Sequence, residues 1–192
     1  MIVDVAVRTV DGLPIPAGGT VLSIDPVHSS VELDVRHLTI ARVRGRFGSF
    51  AGTIHVEDEP EKSWAEVSID AASIDTGDPT RDGHLRSAGF LDTGRHPKIE
   101  FRSTGLRRWE KSLFDVIGDL SMHGVTREVV VACDYRGMTA DPWGNQRVIL
   151  TARTEIDRGG WGLDWNQPVE TGGVLVGPQV SIEAEIQALP LR

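Results

Sequence analysis

Apolar and polar residues alternate with a period of two along most of this chain, and that pattern restricts its fold more than any other feature. In residues 30–37, Val31, Leu33, Val35 and His37 share one face, while Ser30, Glu32, Asp34 and Arg36 share the other. The same rhythm returns in Ala65, Val67 and Ile69, in Ile99, Phe101 and Ser103, in Val148, Leu150 and Ala152, and in Val180, Ile182 and Ala184. Each such segment reads as a half-buried antiparallel strand, wet on one face and dry on the other. About eight one-faced strands in a single open sheet would leave two reactive edges, and closure into a barrel removes them. The expected fold class is therefore all-β, an antiparallel β-barrel of about eight strands with short helical connections.

The connections are written in turn chemistry. Asp25-Pro26-Val27-His28-Ser29 reads as a turn, because proline presets one torsion and offers no amide to a ladder. Residues 38–43 are expected to form one helical turn at most, and Gly48-Ser49 to mark a bulge before Phe50. Asp78-Pro79 reads as an N-cap followed by proline at the first helical position, which opens a short helix over 81–88 with Leu85 inward. His123-Gly124 joins two strands as a hairpin, and Asp141 to Asn145 forms a tight turn. Residues 157–166 are expected to be a helical turn bearing Trp161 and Trp165, and Gly172-Gly173 to precede the last strand. Before Thr20 the pattern is weak. Ile2, Val5 and Val7 suggest a short edge strand and residues 11–16 a loop, so residues 1–19 read as an extension and 20–192 as one barrel domain. With 192 residues, one domain is the size expected of such a barrel.

Composition narrows the function classes. The 21 Gly and 10 Pro suit many tight turns. A net charge of −8 argues against nucleic acid, which requires a basic face, and against anionic membrane surfaces. No apolar run is long enough to cross a bilayer. Residues 1–16 carry Asp4 and Asp11 and lack a long apolar core, so they do not read as a secretory signal, and a cytoplasmic protein is expected. The single Cys, Cys133, rules out an internal disulfide framework. It shares a strand face with Val129, Val131 and Tyr135 and reads as an inert buried thiol.

No catalytic or metal constellation stands out. Asp25, His28, Ser29 and His37 could be assembled into a hydrolase reading, but no Gly-x-Ser-x-Gly elbow occurs, and an Asp-Pro-x-His-Ser turn uses its oxygens on backbone amides. The six His lie on different elements without His-x-His or His-Glu-x-x-His spacing, so no metal and no cofactor are expected. The paired glycines do not open a long helix after a strand and are not phosphate loops. Inward positions mix small residues (Ala65, Ala71, Ala152, Ala184, Gly52, Gly118) with large ones (Leu33, Phe47, Phe50, Phe101, Leu150). That mixture fits either a filled barrel or one with room for a ligand.

The motifs carry a resemblance that bears on this choice. Asp-Pro-x-His-Ser-x-Val, Val-Arg-His-Leu and Val-Arg-Gly-Arg-Phe-Gly-Ser-Phe-x-Gly in residues 25–52 resemble the YceI-like family of polyisoprenoid-binding, lipocalin-like proteins. So do Ser-Ile-Asp-Thr-Gly (73–77), Arg-Asp-Gly-His-Leu-Arg-Ser (81–87), Pro-Lys-Ile-Glu-Phe-Arg-Ser-Thr (97–104), Gly-Asp-Leu-Ser-Met-His-Gly-Val-Thr-Arg (118–127) and Glu-Thr-Gly-Gly-Val-Leu-Val-Gly (170–177). The resemblance implies a lipocalin-like barrel around an elongated apolar pore that holds a polyisoprenoid or related long-chain lipid for carriage, storage or sequestration. The wall would then comprise Leu33, Val35, Phe47, Phe50, Ile69, Phe101, Leu120, Leu150 and Ile182, with His37 and Trp165 near the ends. Two other classes stay open: an enzyme acting on an isoprenoid or fatty chain with His37 as acid–base, and a non-binding structural barrel that could pair as a homodimer.

Overall fold

The structure is a computed structural model and describes residues 5–168 and 174–191. Its strands are β1 (Val7–Val10), β2 (Leu13–Pro16), β3 (Thr20–Ile24), β4 (Ser30–His37), β5 (Ala41–Phe47), β6 (Phe50–Val56), β7 (Trp64–Asp70), β8 (Ile74–Asp75), β9 (Lys98–Arg108), β10 (Leu113–Met122), β11 (Val125–Ala140), β12 (Gln146–Asp157) and β13 (Val176–Pro190). The one α-helix among the described residues, α1 (Pro79–Arg86), is capped as its sequence demands, Asp78 accepting from the amides of Thr80 and Arg81.

The strands close into an eight-membered antiparallel barrel in the order β3-β6-β7-β9-β10-β11-β12-β13 and back to β3. Closure runs through β13. One edge pairs with β12 from Val148↔Ala188 to Asp157↔Gln179, and the other with β4 and then β3. β3 and β4 thus form one long staved strand, bent at Asp25 to Ser29, and β5 and β6 mirror the bend at Gly48-Ser49. Because the meander alternates direction, the connections sort into two ends. One end carries the 38–40 turn, α1, the His123-Gly124 turn and the segment after β12. The other carries the β1–β2 hairpin, residues 57–63, 109–112 and the 141–145 turn.

Three local expectations are corrected. Residues 38–43 are not a helical turn. Residues 38–40 reverse the chain with Leu38 and Thr39 in the left-handed region, and Ala41 to Val43 pair back onto β4, Val43 facing Val35. The alternation that makes β4 a strand continues through β5, so the ladder wins over local propensity. Residues 11–16 are not a loop: Asp11 and Gly12, at φ 51° and 85°, form a tight hairpin turn, and Leu13–Pro16 pairs with Val7–Val10. Its prolines are tolerated because this ribbon has free edges. In the 157–166 segment only Arg158–Trp161 is helical, a 3-10 turn that Gly162 ends in the left-handed region. Ile2 and Gly172-Gly173 lie outside the described residues.

The bend between β3 and β4 is held electrostatically. Asp25 accepts from the Val27 amide at 3.0 Å, His28 Nδ1 at 2.8 Å and Arg147 at 2.7 Å, and Arg147 also reaches Asp141 at 3.4 Å. Burial works against the Asp25 charge, but these donors outweigh it and hold the carboxyl below its ordinary 3.8. The Asp-Pro-x-His-Ser motif is therefore a structural turn, with Ser29 Oγ accepting from the Gln187 amide across the seam.

Two outcomes test this fold. A carboxyl whose folded pKa is depressed contributes stability above its unfolded pKa and loses it as pH falls through the folded value. Thermal unfolding of the protein should therefore drop below pH about 4, whereas Asp25→Asn should be less stable at pH 7 and show a shallower acid decline. Parallel declines would mean Asp25 is not a linked group. Deletion of residues 1–16 should leave one cooperative transition, because the hairpin adds no strand to the closed ladder. A shortened chain that fails to fold would make the hairpin integral to the barrel.

Candidate functional site: an apolar lumen

The inward faces enclose a cavity of about 540 Å³, within the range of about 300–1,000 Å³ typical of small-molecule sites. The barrel is not filled. Its wall takes one face of every barrel strand, for example Val67, Phe101, Val116, Val131, Leu150 and Ile182. Residues from both ends border it: His37, His84, Phe90 and Trp165 at the α1 end, and Val10, Leu13, Ile15 and Arg108 at the hairpin end. The N-terminal hairpin thus closes one end of the lumen. Arg108 meets Asp11 at 2.8 Å, and the Tyr135 hydroxyl donates to the Pro14 carbonyl.

Among the sequence-predicted wall residues, Leu33, Val35, His37, Phe47, Ile69, Phe101, Leu120, Leu150, Trp165 and Ile182 border the cavity. Phe50 does not. It is buried in a packed cluster with Leu22, Ile24, Val31, Val148, Ile186 and Ala188, where the chain enters β6 after the Gly48-Ser49 break. The small inward residues divide by role. Ala65, Ala152 and Ala184 border the cavity. Gly52 and Gly118 instead make room for neighbours: a Cβ would come 2.8 Å from Ile24 Cδ1 in the first and 2.6 Å from the Phe101 ring in the second. Ala71 leaves the strand and is buried in a 3-10 turn packed with Phe90 and Leu91.

The few polar groups along the wall are occupied by backbone. Ser103 Oγ accepts from the Ala65 amide at 2.8 Å, and Thr154 Oγ1 donates to the Val130 carbonyl at 2.9 Å. Burial, followed by the nearby Asp115 charge, raises the Cys133 thiol to about 12, which keeps it protonated and unreactive at neutral pH. Burial likewise raises Tyr135 to about 12. Polar side chains border both ends of the lumen, His37 and His84 at the α1 end and Arg108 and Lys111 at the hairpin end. His37 makes no side-chain hydrogen bond among the described residues, so the acid–base reading has no orienting partner there.

Three residues at this end lie outside the predicted wall set, two of them in the charged 81–87 stretch that the sequence suggests is an internally paired helix near the mouth rather than a site. His84, on α1, borders the cavity and meets the Trp165 ring edge-on at 4.3 Å. Arg81 also borders it, although its guanidinium is tied to Thr76 Oγ1 at 2.7 Å and to the Thr76 carbonyl at 2.9 Å. Arg158 is 5 % exposed and donates to the carbonyls of Gly177, Leu163 and Val176, with its guanidinium 5.7 Å from the Phe90 ring. Its burial lowers its pKa, partly offset by Asp164 and Asp157. Its place after β12, with no period-two partner, gave no signal in the sequence. Trp161, by contrast, is core rather than wall, its Nε1 donating to the Leu120 carbonyl at 3.0 Å.

Known proteins share this architecture. The protein of Burkholderia cenocepacia called BcnA superposes with a TM-score of 0.73 at 19% identity, covering 85% of this chain and 98% of that one. A polyisoprenoid binding domain from Saccharophagus degradans, implicated in plant cell wall breakdown, gives 0.68 at 17% identity over 88% and 98%. In sequence, a UPF0312 protein of Azotobacter vinelandii is 34% identical over 148 residues, 77% of each chain. One of Staphylococcus aureus is 31% identical over 170 residues, 88% of this chain and 96% of that one. The YceI-like domain matches residues 22–188, from the first strand of the closed barrel nearly to the end of the last, and the chain belongs to that family.

Proposed function

We propose that this barrel binds a polyisoprenoid or a related long-chain apolar lipid in its lumen and carries, stores or sequesters it. The observation that carries the reading is a lumen bordered by hydrocarbon from every barrel strand and by polar groups mainly at its ends. A long prenyl chain has no polar atoms over most of its length, and each methylene removed from water contributes about 0.8 kcal/mol. Ordering a flexible chain offsets part of that sum. A wall whose hydroxyls are already hydrogen-bonded to backbone avoids the penalty that unpaired polar groups would add. His37, His84 and Trp165 stand where a polar head would lie, and the related Saccharophagus degradans domain, described as polyisoprenoid binding, supports the ligand class.

The face of β4 that meets the ligand provides the test. Leu33 borders the cavity, whereas Glu32 is exposed on the outer face. Leu33→Gln sets an amide against an apolar chain, which costs about 1–3 kcal/mol, so affinity for a fluorescent prenyl analogue should fall by about one to two orders of magnitude. Glu32→Gln should change neither affinity nor thermal stability. Equal affinity in two folded variants would remove the lumen as the binding site. Native mass spectrometry of protein purified from its own host should show added mass of a lipid.

A further inference from the structure

At the α1 end, outside the cavity wall, the fold gathers Asp92, His96 and His123, whose potential ligand atoms all lie within 4.8 Å of one another. We propose that these three side chains form a binding site for a divalent late first-row metal ion, zinc being the best match, which clamps the segment after α1 to the β10–β11 hairpin. Along the sequence nothing announces the site, since His123 lies far from the other two and all three occupy turns.

The local geometry is that of a prepared donor set. His123 Nδ1 lies 3.0 Å from the Trp161 carbonyl. A carbonyl only accepts, so Nδ1 carries the proton and Nε2 presents its lone pair. A backbone carbonyl holding the second nitrogen is the usual outer support of a metal-ligating histidine. Trp161 is itself fixed by its bond to Leu120, so the imidazole hangs from a rigid point. The His96 ring stands 5.1 Å from the His123 ring at 69° and lies so close to the hairpin turn that a Cβ on Gly124 would come 2.8 Å from its Cε1. Asp92 and His123 both hold left-handed backbone, at φ 46° and 51°, a strain that non-glycine residues rarely adopt. The 92–96 turn is closed by the His96 amide on the Asp92 carbonyl at 2.8 Å and anchored by the buried Phe90 and Leu91.

Two neutral imidazoles and one carboxylate suit zinc with water in a fourth position. Metal–ligand bonds of about 2.0–2.1 Å require ligand atoms roughly 3.4 Å apart, so ligand atoms up to 4.8 Å apart must close by as much as about 1.4 Å through side-chain rotation. Arg95, 81 % exposed and 3.8 Å from Asp92, would swing into solvent as the ion enters.

The test uses the full chain without a histidine tag. Zinc is titrated in competition with a chromophoric chelator, and cobalt(II) is titrated with visible absorption to report a low-coordinate site. The expected result is one equivalent bound, a rise in the thermal midpoint, and at least tenfold weaker binding in Asp92→Asn and His96→Gln. His123→Asn, a residue that tolerates left-handed backbone, should abolish the cobalt spectrum while circular dichroism stays unchanged. His55→Gln, on the stacked His55–Trp64 pair elsewhere, should bind like the parent. Binding weaker than about 1 mM in the parent chain, or equal binding by the parent and all three site variants, overturns the proposal.

Discussion

The architecture depends on β13 being shared. This one strand hydrogen-bonds to β12 along one edge and to β4 and β3 along the other, and without that double pairing the sheet would be an open ribbon with two edges. Closure also imposes the bend in β3–β4. A strand that keeps pace with β13 over its whole length must change direction to stay on a curved surface. The bend falls at Asp25 to Ser29, where proline removes an amide and where Arg147, reaching from β12, bridges the two carboxylates of Asp25 and Asp141. Seam and bend are thus held by the same neighbourhood, since Gln187 of β13 accepts from the Asp25 amide at 2.8 Å.

A closed barrel of this size can be solid or hollow, and here that choice is made by individual side chains. Where glycine occurs on the inner face, a neighbour fills the gap: Phe101 lies against Gly118, opposite the irregularity between β9 and β10, and Ile24 lies against Gly52. Both glycines therefore serve packing, not volume. Space remains where alanine faces alanine, as in the Ala152↔Ala184 pair of β12 and β13, which borders the lumen. On the proposed function such a surface would bind by area rather than by directional contacts, so discrimination between apolar ligands would come from the length and closure of the two ends.

The barrel was legible because period two is a property of every strand and survives without knowledge of neighbours. The parity of β4 in sequence is its parity in space, which is why Leu33, Val35 and His37 could be placed on the wall from residues 30–37 alone. Legibility failed where an element is defined by what it packs on. Residues 11–16 looked like a loop because prolines mask a short ribbon, and Val10, Leu13 and Ile15 gain their meaning only from the end of the lumen that they cover. Phe50 keeps a strand's parity but sits beyond a break that changes what it faces. His84 and Arg158 lie outside regular strands, where no period assigns a direction.

The two ends differ in kind, and the difference follows from chain economy. The hairpin end is covered by a short ribbon joined to the barrel through Arg108–Asp11 and the Tyr135–Pro14 contact. The α1 end is covered by side chains from separate segments that all converge on Phe90. Its ring meets His84 at 6.0 Å, Trp165 at 6.2 Å and the Arg158 guanidinium at 5.7 Å. Arg158 in turn holds the carbonyls of Leu163, Gly177 and Val176, so the segment after β12 and the start of β13 are tied to the same point. A guanidinium satisfied only by carbonyls keeps its charge uncompensated in a buried place, and that is costly unless something anionic is near. Asp157 and Asp164 supply part of that compensation from nearby. Arg158 borders the lumen at the same end as His37 and His84, so the residue that ties these segments together also forms part of the wall.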